Sequence, residues 1–93
     1  MIANTLLIFI KAAEHQNFNT AAKELNLTPS AISHAISKLE YELGITLFIR
    51  QKKNVILTSE GSDLLVYARR VIDHEKEFKQ EIEDGIDRGL DNA

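Results

Sequence analysis

Ser30, Ser33, His34 and Ser37 lie within one short stretch, TPSAISHAISKLE from Thr28 to Glu40, and hydroxyls beside an imidazole suit two kinds of chemistry. One is nucleophilic catalysis, with His34 as the base for Ser33. Neighbours on a helix point about 100° apart, and no orienting carboxylate or oxyanion hole accompanies the pair, so the chain does not read as an enzyme. The other is hydrogen bonding at close range, since a serine hydroxyl both donates and accepts. His15, His34 and His74 fall on separate expected helices without ligand spacing, and the chain has no cysteine. No metal centre, disulfide, Fe–S cluster or other cofactor is therefore expected in this segment.

The element that must position these side chains is a helix. On a wheel of about 100° per residue, Ile32, Ile36, Leu39 and Leu43 share one arc and are expected to face a core. Ser30, Ser33, His34, Ser37 and Tyr41 gather on the opposite side. Thr28 is the expected N-cap, Pro29 takes the first helical position, where its missing N–H is harmless, and Gly44 ends the helix just past Leu43. Upstream, Leu6, Phe9, Ile10 and Ala13 recur at helical spacing from Asn4 or Thr5 to about His15. Asn17 can cap a short second helix, Phe18 to Leu25, in which Ala21 and Ala22 allow close packing; Asn26 and Leu27 make the turn.

After Gly44 the period changes. TLFI and VILT around RQKKN predict a small hairpin with about three residues per strand. Thr58 opens a fourth helix, in which Leu64, Ala68, Val71, Ile72, Phe78, Ile82, Ile86 and Leu90 keep a spacing of three or four. From Ser59 to Leu90 such a helix measures roughly 48 Å, longer than a domain of this size can cover. The expected organisation is a unit over residues 1–58 and a linker or dimerisation helix with its tail over 59–93.

Ninety-three residues with 44% hydrophobic content make one compact unit with an appendage. The N-terminal run MIANTLLIFIKAAE is too short to span a bilayer and lacks the basic flank of a leader, so it reads as a core helix. A net charge of −3 argues weakly against nucleic acid. The charge is unevenly spread, however: residues 1–57 carry six basic against four acidic side chains, and residues 58–93 carry five against ten. The two parts are expected to do different work.

Two helices joined by a tight turn, the second capped and polar outside, followed by a basic-tipped hairpin, describe a mainly α winged helix-turn-helix. It has three helices and a two-stranded wing, and the long helix follows. The helix over about 29–43 would enter a DNA major groove N-terminus first. Short serines let it approach the groove floor, where longer Lys or Glu side chains would hold it off. The helix N-terminus offers N–H groups and partial positive charge to phosphate. Arg50, Lys52 and Lys53, around a wing at about 50–54, are placed for the backbone or the flanking minor groove. In another fold, Lys52 and Lys53 would simply be a solvated tip that blunts a sheet edge.

The stripe Leu64, Ala68, Val71, Ile72, Phe78, Ile82 and Ile86, flanked by Glu75, Lys76, Glu77, Lys79 and Glu81, predicts a homodimer through the long helix. A shorter helix that folds back on its own core, with a frayed tail after Gly85, competes with it. The alternative function is a winged helix that binds protein and leaves DNA alone, which the acidic balance favours.

The run FNTAAKELNLTPSAISHAISKLEYELGITLFIR, then NVILTSEGSDLLVYARRVI, resembles the DNA-binding region of LysR-type transcriptional regulators. Their pattern joins F-x-x-A-A, S-A-x-S-x-x-I-x-x-L-E, L-G-x-x-L-F-x-R and L-T-x-x-G, and all four occur here, over roughly Leu6 to Ile86. The resemblance implies a bacterial, cytoplasmic, nucleoid-associated regulator. It further implies a dimer on an interrupted inverted repeat, paired through antiparallel long helices, with higher oligomers only where an effector-binding part follows. The implied base contacts are Pro29, Ser30, Ser33 and His34, then Ser37; Lys38 stands beside them. Phosphate contacts are implied at Phe18, Asn19, Thr20, Thr28 and Arg50, with Lys52 and Lys53 in the wing. Pro29 stands where many members have glutamine and His34 where many have arginine, while Ala35 can at most touch a thymine methyl. The family continues into an effector-binding domain, so the chain is expected to be a truncated DNA-binding fragment rather than a naturally short regulator.

Overall fold

Most of the element boundaries are set by side chains or glycines that satisfy the backbone groups a helix end leaves open. In the computed structural model, which describes the backbone of residues 2–92 and the side chains of residues 4–85, the order is α1 (Ile2–His15), α2 (Phe18–Leu25), α3 (Pro29–Leu43), β1 (Phe48–Arg50), β2 (Val55–Leu57) and α4 (Ser59–Asn92). Asn17 caps α2 by accepting from the Thr20 N–H at 3.0 Å, and Thr28 caps α3 by accepting from Ala31 at 3.1 Å. Left-handed backbone closes both helices, at Asn26 (φ 56) and at Gly44 (φ 69), whose N–H reaches the Glu40 carbonyl at 2.8 Å. Thr58 caps α4 by accepting from the Gly61 N–H at 2.9 Å, while its hydroxyl donates to the Thr46 carbonyl at 2.6 Å.

Two boundaries differ from the sequence reading. α1 begins at Ile2 rather than at an Asn4 or Thr5 cap, because nothing in Ile2 or Ala3 opposes helix formation. α4 runs on through Gly85 and Gly89 to Asn92, so 34 residues give about 51 Å of helix.

The core is a single cluster. Leu6, Phe9, Ile10, Ala12 and Ala13 of α1 meet Ala21 and Ala22 of α2, Ile32, Ile36 and Leu39 of α3, and Leu47, Phe48 and Val55 of the wing and its root. Ala21 and Ala22 are essentially fully buried, as expected where small side chains let helices approach closely. Leu43 departs from its expected place and is 46% exposed. It is the last residue of α3, and the Gly44 turn sends Ile45 toward the core instead.

β1 and β2 pair antiparallel, Phe48 with Leu57 and Arg50 with Val55. Gly61 sits where α4 crosses this root: a Cβ there would collide with the Leu47 carbonyl oxygen and stand 2.8 Å from Leu57 Cδ2.

The first half of α4 belongs to the core. Ala68 is fully buried within its own chain, and Leu64, Leu65, Val71 and Ile72 pack partly against the same cluster. Ala68 therefore has no surface left for a partner, which corrects its place in the partner-facing stripe: the core of its own chain covers it. Beyond Ile72 the helix leaves the domain. The radius of gyration is 16.3 Å, against about 12 Å for a compact chain of this length. Phe78 and Ile82, on this projecting part, are 58% and 45% exposed. Ile86 and Leu90 lie outside the residues whose side chains are described.

Candidate nucleic-acid interface

α3 turns Pro29, Ser30, His34, Ser37 and Lys38 outward, with Ser33 half-buried among them, and Tyr41 stands 88% exposed on the same side. The side chains expected to read a surface therefore share one face, and their order follows from the helical wheel. Thr28 begins this face, but its Oγ1 is committed to the cap.

The backbone of the wing is tied at three points to α3, to the start of α2 and to the turn between α1 and α2. Glu40 Oε2 accepts from the Leu47 N–H at 2.7 Å and the Phe48 N–H at 3.4 Å, which sets the root of β1 against α3. The Val55 N–H donates to the Gln16 carbonyl at 3.0 Å. Asn17 Nδ2 donates to the Lys53 carbonyl at 3.3 Å, so the residue that caps α2 also holds the wing tip. An open cleft results, with Asn17, Phe18 and Asn19 at the start of α2 on one wall and Arg50 and Lys53 on the other. Helix N–H groups facing cations are a suitable place for an anion. Thr20 is exposed in the same first turn of α2, and Lys52 is exposed at the tip.

Arg50 does more than line this cleft. Strand alternation puts it on the same face as Phe48, so it points to α3. Its Nη1 donates to Ser33 Oγ at 2.9 Å and its Nη2 to Ser37 Oγ at 3.3 Å. The guanidinium carbon lies 5.1 Å from the centroid of the Phe18 ring. That ring meets Phe48 edge-on at 5.6 Å, and Phe48 meets Phe9 at 5.5 Å. A chain of aromatic contacts thus runs from the core to the cation. The sequence reading named all of Phe18, Arg50, Ser33 and Ser37 but not their contact; the alternation of β1 and the four-residue spacing of the serines were the available signals. Glu40 was missed as an anchor, and the reversal of period just after it was its only trace.

A second polar network joins α1, α2 and α4. Glu24 takes His15 at 3.2 Å and Lys11 at 3.4 Å, and Glu14 takes Lys11 at 3.5 Å and Arg69 at 3.4 Å. The hydrogen bond from His15, then Lys11, holds the Glu24 carboxyl below the ordinary carboxylate range, and Glu24 pushes the Lys11 ammonium up. All these groups are solvated, so the network orients side chains and adds little stability. Among the described residues no group of three or more His, Asp or Glu is placed to hold a metal ion, and no helix is long and apolar enough to cross a membrane.

Three helices with the third presenting a polar face, a basic two-stranded wing beside it and a long helix behind define a winged helix-turn-helix. Residues 3–62 match the family described as "Bacterial regulatory helix-turn-helix protein, lysR family". The chain belongs to that family. It is 58% identical over 53 residues to the HTH-type transcriptional regulator DsdC of Escherichia coli (strain K12), covering 57% of this chain and 17% of that protein. It is 39% identical over 82 residues to the HTH-type transcriptional activator IlvY of Haemophilus influenzae (strain ATCC 51907 / DSM 11121 / KW20 / Rd), covering 88% of this chain and 28% of that one. Among solved structures, the DNA complex of the CbnR DNA-binding domain superimposes with a TM-score of 0.88 at 29% identity, over 92% of this chain and 99% of that one. The chain spans about a sixth to a quarter of the length of these curated relatives, 17% and 28%.

Proposed function

We propose that the protein binds double-stranded DNA in a sequence-specific way, as the DNA-reading part of a LysR-type transcriptional regulator. The exposed face of α3 carries this function: short side chains, free of the core, lie between the start of α2 and a cationic wing. The CbnR domain similar to this chain was solved bound to DNA, which supports DNA over a protein partner for this face. Pro29, Ser30, Ser33, His34 and Ser37 face base edges in the major groove. Phe18, Asn19, Thr20, Thr28, Lys38, Arg50, Lys52 and Lys53 meet the phosphate backbone, with the wing over the adjacent minor groove.

Two copies read two half-sites of an interrupted inverted repeat, paired through α4. The partner-facing positions are Phe78 and Ile82, with the partly buried Leu64, Val71 and Ile72 at their edge. A regulator of this kind works in the cytoplasm at the nucleoid, and its DNA-reading part acts as no enzyme and takes no cofactor.

Binding measured on a cognate duplex and its single-base variants separates the two groups of contacts. Ser33→Ala and His34→Ala should lose discrimination at one position each, by about 1–3 kcal/mol, whereas Lys53→Ala should weaken all sequences alike. Equal losses on every duplex for all three variants would contradict the assignment.

A further inference from the structure

Arg50 lies across two turns of α3 with one N–H on Ser33 Oγ at 2.9 Å and another on Ser37 Oγ at 3.3 Å. A guanidinium has five N–H donors and no acceptor, so in both contacts the serine oxygen must accept. We propose that Arg50 is a specificity-setting positioning residue: by occupying a lone pair on both serines it turns their hydroxyls into donors, directed to base edges that present acceptors. The class of edge is then purine N7, guanine O6 or thymine O4, and the cytosine N4 amino group is disfavoured. This inference rests on the DNA-binding function above and adds the chemical class of edge that it reads.

Three features hold the cation where this requires. Arg50 is paired with Val55 through the strand backbone. Its guanidinium is stacked 5.1 Å from the Phe18 ring centroid, and that ring is fixed edge-on by the buried Phe48 at 5.6 Å. The two serines, one helical turn apart, each lie within reach of a different terminal nitrogen. A hydroxyl has one proton and two lone pairs, and accepting from a cation makes its proton the better donor. Among the described residues neither hydroxyl proton has an acceptor, so both remain for an outside partner. Two of the five guanidinium N–H groups are used in this way; three are left for a phosphate.

The test is selection from random duplexes, carried out in parallel with the unaltered chain, Arg50→Met and Arg50→Lys, followed by binding to the selected duplex with 7-deazapurines at the enriched positions. For the unaltered chain, the positions facing Ser33 and Ser37 should enrich bases that present acceptors, and removal of a purine N7 there should weaken binding about ten-fold. Arg50→Met, which keeps the length but removes the donors, should reduce discrimination against a facing cytosine about ten-fold while leaving preferences elsewhere unchanged. Arg50→Lys keeps the charge with a single donor point, so it should relax one of the two positions and lose less overall affinity than Arg50→Met. If both variants retain the full preference and lose only overall affinity, Arg50 is a phosphate contact alone and the inference is overturned. If the unaltered chain enriches no motif, the DNA-binding function itself fails, a result distinct from the previous one.

Discussion

Phe48→Ala should destabilise the domain by about 3–5 kcal/mol, the range for removing a buried aromatic side chain, and should take the DNA-reading face with it. Phe48 is 3% exposed and is the contact between the core ring of Phe9 and the surface ring of Phe18. Its truncation leaves a cavity beside Phe9 and frees Phe18, the platform on which Arg50 rests. A domain of this size has about 5–15 kcal/mol in total, so the loss is a large share. In urea, the midpoint should fall with an unchanged slope, since the folded state is weakened without altering the surface exposed on unfolding. Phe48→Leu, which keeps most of the volume, should lose much less. A change below about 1 kcal/mol for the alanine variant would mean that the aromatic chain is not what joins the wing to the core.

Phe78→Glu should lower dimer affinity by about 100-fold or more, read as a shift from dimer to monomer mass in sedimentation equilibrium. The two-fold relation of a dimer places two such carboxylates in one interface, and an uncompensated buried charge costs about 3–5 kcal/mol. Phe78 is 58% exposed on the part of α4 that leaves the domain, and its neighbours Glu75 and Lys79 pair with each other at 3.2 Å. They therefore offer the new carboxylate no ready partner. Ile82→Glu should act in the same direction. The folding of the domain should not change, because neither residue belongs to the core cluster. An unchanged mass with either variant would remove Phe78 and Ile82 from the interface.

Local chemistry made much of this fold legible. Asn17, Thr28 and Thr58 cap helices because their side-chain oxygens meet N–H groups three residues ahead, and Gly44 ends α3 because only a left-handed residue satisfies the carbonyls there. The hairpin showed itself in the change of period. What stayed hidden depended on partners distant in the chain. Leu43 lies on the apolar arc of α3, but α3 runs one turn past its last core residue, Leu39, and no helical wheel shows where a core ends. The stripe on α4 has one period whether it meets α1 or a second copy, so Ala68 looked like an interface residue. The contact of Arg50 with Ser33 and Ser37 spans 17 and 13 residues. It depends on the angle at which Glu40, Gln16 and Asn17 hold the wing.

DNA binding and sequence reading are both assigned to the face of α3 with the wing. The most direct test is the affinity of the chain for a selected duplex and for a scrambled one, each followed over a range of salt concentrations. Phosphate contacts at the start of α2 and at Arg50 and Lys53 in both copies predict that log K falls linearly with log salt, with a slope of about −4 or steeper. The selected duplex should stay about a thousand-fold tighter or better throughout. A slope near zero with no preference between the two duplexes would show that this face does not bind DNA.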